Sequence, residues 1–146
     1  MGKKTKIALM VVAVTATVIQ FFPPELTNPP SDPAASFEAV VKPPAQVSAI
    51  IERACQDCHS NRSVWPWYSR VAPASWLVVD DVVEARQKFN LSAWARMSPE
   101  RAQEVLGDMC REVKAGDMPL WQYRLLHPAA KLSAEDVAAV CALSPR

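Results

Sequence analysis

The stretch Cys55-Gln56-Asp57-Cys58-His59 places two thiols and an imidazole within five residues. Thiols three apart on one helical turn can reach the two vinyl groups of a porphyrin and form thioethers. The histidine next along then lies beneath the iron with a ring nitrogen ready to bind it. CxxCH is the attachment signature of c-type haem. Three other chemistries use the same residue types. A redox CxxC pair sits at a helix N-terminus, where its thiol pKa is lowered, in a βαβ setting; here the pair follows a helical segment. A zinc site needs two more ligands, as in a second CxxC or an HxxxH, and the chain has neither. A disulfide between residues three apart is geometrically awkward. The expected chemistry is therefore one covalent haem c with its iron, held by Cys55, Cys58 and His59.

The other axial position has four candidates: Met97, Met109, Met118 and His127. Met109 lies on the apolar stripe of a helix, where core packing accounts for it. Met97 precedes a helix cap and is a plausible loop ligand that nothing singles out. Met118 follows the helix-ending Gly116-Asp117 and precedes Pro119, which stiffens the loop and removes a backbone donor. That setting suits a sulfur presented to a buried iron, although Met-Pro taken alone reads as an ordinary apolar loop. Met118 is the expected second metal ligand. No acid–base pair of a catalytic kind accompanies the haem motif, so electron transfer is expected and an enzyme is not. The alternative is a peroxidase-like enzyme or a gas or redox sensor, which needs an open distal site.

Helices must position these residues. Pro43-Pro44 suits a helix start, and Val47, Ile50, Ile51 and Ala54 follow at helical spacing into Cys55. Ser75 reads as an N-cap for a segment running to about Asn90. Ser98-Pro99-Glu100 starts a helix with the stripe Ala102, Val105, Leu106, Met109 and Val113, ending near Gly116. Ser133 caps a last helix carrying Val137, Val140 and Cys141. No period-2 strand appears, and the fold class is all-α.

Ahead of this body, Lys3, Lys4 and Lys6 precede a run without charge from Ile7 to Pro24. Its length is borderline for a membrane helix, which needs ~20 apolar residues. Val14-Thr15-Ala16 is the one small-residue signal-cleavage candidate, and it lies inside the run. An uncleaved anchor over residues 1–22 is expected, the alternative being a soluble periplasmic protein after signal cleavage. Lysines on the N-terminal side keep that end in the cytoplasm and send the rest outward to the periplasm. Residues 23–44 hold seven of the 13 prolines, which predicts an extended, loosely packed spacer. Residues 45–146 form the expected haem domain. With 12 basic and 12 acidic residues from Ala45 onward, that body lacks the basic surplus of a nucleic-acid binder. Only three glycines among 146 residues disfavour phosphate-cradling loops and turn-rich β folds.

Two stretches, CQDCHSNRSVWPWYSRVAPASWLV and GDMPLWQYRLLHPAAKLS, together resemble the bacterial haem-binding domain family of small c-type cytochromes, and QFFPPELTNPP resembles its anchor-proximal segment. The resemblance runs from about Gln20 to the end. It implies a compact cytochrome c-like helical domain with one covalent haem, His59 proximal and Met118 distal. The electron-transfer expectation, rather than the resemblance, calls for redox partner proteins. Trp65, Trp67, Tyr68, Trp76, Trp121 and Tyr123 offer flat surfaces to cover a porphyrin. Arg62 and Arg70 are either propionate partners or simply solvated, and His127 is expected to make a structural hydrogen bond. Cys110 and Cys141 remain as an even pair, expected to form a disulfide outside the cytoplasm; two buried, inert thiols are the alternative.

Overall fold

The computed structural model describes residues 2–144. Among them the chain is all-α, with no strand. Its helices are α1 (Lys3–Val18), α2 (Phe37–Val41), α3 (Ala45–Ala54), α4 (Gln56–His59), α5 (Ala74–Lys88), α6 (Pro99–Ala115), α7 (Trp121–Leu126) and α8 (Ala134–Cys141). The helix ends have local causes. Pro99 occupies the first position of α6, and Ser98 Oγ accepts the Arg101 amide at 3.2 Å. Gly116 ends that helix at φ 80°, a left-handed conformation that favours glycine. At α8, Ser133 Oγ accepts the Asp136 amide while the Asp136 carboxylate accepts the Ser133 amide, a capping box.

Ser75 is not the cap expected from the sequence. Helix α5 begins two residues earlier than that cap implies, after Pro73, because the preceding turn already supplies acceptors: Val71 and Pro73 carbonyls take the Ser75 and Trp76 amides. Ser75 is buried inside the first turn, and its hydroxyl has no hydrogen-bond partner.

The core is built from the apolar faces of α3 (Val47, Ile50, Ile51) and α6 (Val105, Met109, Val113). Val140 of α8 and Leu91 and Trp94 of the 3-10 segment Leu91–Arg96 complete it. Helix α8 packs on both α3 and α6. The Cys110–Cys141 disulfide joins α6 to α8, and Arg53 of α3 pairs with Asp136 of α8 at 2.7 Å.

The proline-rich stretch departs from the loose spacer expected. Residues 23–32 form no helix or strand, yet Arg86 of α5 donates to the Thr27 carbonyl at 2.9 Å and to Asn28 Oδ1 at 3.0 Å. Asn28 in turn donates to the Ser63 carbonyl at 2.9 Å. These contacts strap the stretch to the body. Ser36 then caps α2, and Phe37 is buried edge-on against Trp94, with ring centroids 4.8 Å apart. Phe37→Ala is expected to lower stability by about 3–5 kcal/mol, the usual cost of removing a buried aromatic side chain. Denaturant unfolding measures it, and a loss too small to resolve would mean that α2 is not part of the cooperative core.

The segment Lys3–Phe21 forms one helix, 19 residues long with mean hydropathy 1.5 and no buried residue. It is long and apolar enough to cross a membrane. Its far end is attached to the body. Gln20 donates from Nε2 to the Ala72 carbonyl (3.1 Å) and accepts the Ala72 amide at Oε1 (3.0 Å). Trp76 Nε1 donates to the Phe22 carbonyl at 3.0 Å.

Candidate functional site

Helix α3 runs into Cys55, and the single turn of α4 carries Cys58 and His59, its frame closed by the His59 amide donating to the Cys55 carbonyl at 2.9 Å. The segment that follows is knitted to the one after α5. Ser60 is fully buried, and its carbonyl accepts Arg86 Nε at 2.7 Å. Asn61 accepts Asn90 Nδ2 at 2.8 Å, and its amide donates to Ser92 Oγ at 3.0 Å. Together these bonds fix the backbone on which the imidazole stands.

His59 is buried and stacks on Phe89, with centroids 4.0 Å apart and planes within 8°. Its Nδ1 lies 3.4 Å from the Phe89 carbonyl. A carbonyl beside Nδ1 favours the tautomer with its proton there, which leaves the Nε2 lone pair free for a metal. Burial lowers the imidazole pKa, and the neutral ring is the ligating form. Sequence reasoning passed over Phe89, which both stacks on the ring and supplies this carbonyl.

Cys55, His59 and Met118 line one cavity of about 380 Å³, whose walls include Ile50, Ala54, Phe89, Val105, Met109 and Val140. This volume falls within the ordinary range for cofactor pockets, about 300–1,000 Å³. Lys88, Arg101 and Arg111 also line it. They are the cations that the structure brings there, whereas Arg62 and Arg70 are exposed and line neither this cavity nor its neighbour. Cys58 faces the neighbouring cavity of about 210 Å³, with Trp65, Tyr68, Val78, Leu120 and Tyr123. Trp67, Trp76 and Trp121 are exposed and line neither.

Met118 is positioned from both sides. Beyond Gly116, the amides of Asp117 and Met118 both donate to the Glu112 carbonyl, at 3.1 and 3.3 Å, which ties the loop to the end of α6. Pro119 is buried, and α7 starts two residues later. From α7, Tyr123 donates its hydroxyl to Asp57 Oδ2 at 2.8 Å. The other oxygen of that carboxylate accepts the Val64 amide at 3.0 Å. Asp57 thus holds the α4 turn and the methionine loop in one frame. Met109 lines the same cavity from the core, and Met97 packs against the core outside both cavities.

His127 lies away from the larger cavity. Its Nε2 is 2.7 Å from the Tyr68 hydroxyl, and its ring stacks on Tyr123 at 4.1 Å. This is a structural hydrogen bond of the kind expected, and it pins the end of α7 to the Trp67–Arg70 turn.

Burial pushes both thiols of the CxxC pair up to about 12, and the two are not bonded to each other. A catalytic redox pair requires the reverse shift, toward the thiolate. Among the described residues no group of three or more His, Cys, Asp or Glu side chains is placed to hold a metal ion. The donor set fits a c-type haem: two neutral thiols on one turn, an imidazole with Nε2 free, a thioether lining the same cavity, and mainly apolar walls.

A family model for a haem-binding domain matches residues 14–144. No curated protein and no solved structure matches the chain significantly.

Proposed function

The chain belongs to the haem-binding domain family, and from that premise we propose that it is a mono-haem c-type cytochrome. In this reading it is anchored in the inner membrane by its first helix and carries electrons in the periplasm. A bound haem supplies an iron that accepts and releases one electron between its ferric and ferrous states. Cys55 and Cys58 would hold that group through thioethers, and His59 Nε2 and Met118 Sδ would ligate its iron. The observation that carries the reading is the convergence on one cavity of Cys55 and His59, from the turn where α3 meets α4, and of Met118, from the loop after α6.

Each residue's part follows from its surroundings. The Phe89 carbonyl orients His59 and sustains its donor nitrogen. The loop tied to Glu112 presents Met118. Ligation by both an imidazole and a thioether would favour the reduced iron, which suits a carrier rather than an enzyme or gas sensor. At the cavity Arg111 pairs with Asp108 and Glu112, and Arg101 pairs with Glu104 outside the lining. Such pairs do not serve as a free acid–base couple beside a substrate. Redox partner proteins are the expected partners. Three lysines ahead of the span hold the N-terminus in the cytoplasm and direct the cytochrome body outward.

The test is chemical. Acid–organic extraction of the purified protein should leave all its haem on the polypeptide, and a pyridine haemochrome spectrum should give one haem per chain of the thioether-linked type. Extraction of the haem into the organic phase would refute covalent attachment while leaving haem binding intact.

A further inference from the structure

Where the span ends and the body begins, the two are hydrogen-bonded, and the body's surface there is apolar. Gln20 grips the Ala72 backbone through both its amide atoms, and the Trp76 indole holds the Phe22 carbonyl. Around this junction Phe21 and Phe22 are exposed by 76% and 67%, Trp67 by 74% and Val71 by 44%. The corner from Trp67 to Trp76 is rigid: Ser69 and Val71 amides bond back within the turn, and the Ser75 amide bonds to the Val71 carbonyl. None of Phe21, Phe22, Trp67, Val71 or Trp76 lines either cavity, so the proposed haem does not account for their exposure.

We propose that this corner is seated in the outer headgroup region of the bilayer, so that the cytochrome body rests on the membrane instead of swinging from its anchor. The inference rests on the anchor reading above. A span leaving the body at this point puts Ala72 and Trp76 at the height where the helix emerges. Whatever surrounds them there meets the lipid interface. Tryptophan is the side chain most at home at that depth, with an apolar ring and one polar N–H. Arg70, exposed beside Val71, is placed for phosphate headgroups. The fixed junction supplies the second reason. A flexible tether would let an apolar corner face any partner, but two side chains that grip backbone hold this one beside the end of the span.

Spin labels on the full-length holoprotein in phosphatidylcholine–phosphatidylglycerol vesicles test the seat. Labels at Trp67→Cys and Val71→Cys should be broadened by oxygen more than by a water-soluble nickel chelate. Gln103→Cys and Glu135→Cys, exposed on α6 and α8, should show the opposite order. Val12→Cys, inside the span, reports insertion. If Val12 is lipid-exposed while 67 and 71 meet the chelate freely, the seat is overturned and the anchor stands. If Val12 itself meets the chelate, both readings fail. Labels at 67 and 71 shielded from both reagents, with dipolar broadening between chains, would assign the corner to a second copy and overturn the lipid seat.

Discussion

Met118→Ala is expected to remove a weak sulfur-to-iron band at the red edge of the ferric spectrum and to lower the reduction potential. The expected drop is on the order of 100 mV, a modest part of the about 0.8 V over which axial ligands set haem potentials. Covalent attachment should survive, and the vacated position should take water or added imidazole. The control is Met109, because it lines the same cavity. Met109 sits mid-helix in α6 and is buried in the core. Its removal should cost about 2–5 kcal/mol of stability and leave the band in place. Met118 is half-buried on a loop held by the Glu112 carbonyl and by buried Pro119. Loss of the band in Met109→Ala or Met97→Ala, with Met118→Ala unchanged, would transfer the ligand role. A variant series in which every methionine is dispensable would reopen the peroxidase-like and sensor readings, which need an unoccupied distal site.

The parts of this molecule legible in its sequence are those where a local rule acts on few residues. The turn over residues 55–59 is one, because the three-residue spacing puts both thiols and the imidazole on a single helical turn. The ends of α6 and the start of α8 are others, since Ser98-Pro99, Gly116 and Ser133 each satisfy orphan backbone groups by themselves. The loop position of Met118 is legible for a similar reason, with the helix stop at Gly116 before it and Pro119 after it.

What the sequence concealed lies in long-range pairing. Asp57 reads as an interior residue of the motif, yet it bonds Tyr123, 66 positions away. Arg86 falls in a segment that the sequence marks only as helical, yet it binds the backbone of Ser60 and Thr27 and the side chains of Asn28 and Ser63. No periodicity marks such contacts. The proline-rich stretch misled for a related reason. Proline removes donors and favours extension, but extension is compatible with being strapped down, because Thr27 and Asn28 still offer oxygens. Phe37, a single aromatic in a stretch of small residues and prolines, gives no pattern from which burial can be read. Of the two readings of Arg62 and Arg70, exposure outside both cavities agrees with simple solvation. Chain topology brings Lys88, Arg101 and Arg111 to the cavity instead, and no local pattern marks them.

Cys55→Ser combined with Cys58→Ser should leave a polypeptide from which acid–organic extraction strips every trace of haem, and each single substitution should sharply reduce the attached fraction. The effect is large because thioether attachment has no substitute: a serine hydroxyl does not replace a thiol in adding to a vinyl group. Haem held through His59 and Met118 alone would then be exchangeable. The chain carries its own control for general damage by cysteine loss. Cys110 and Cys141 close a loop of sequence separation 31 between α6 and α8, and opening it should cost roughly 3–4 kcal/mol on chain-entropy grounds. Cys110→Ser with Cys141→Ser should therefore lower the unfolding midpoint while keeping haem fully attached. The two pairs thus separate by readout, one moving stability and the other moving attachment. Should the Cys55/Cys58 variant retain haem through extraction, neither thiol would be its tether. The high thiol pKa, about 12 at both positions, would still weigh against a redox pair. The turn of α4 would then be a site of axial ligation alone, with His59 its one functional group.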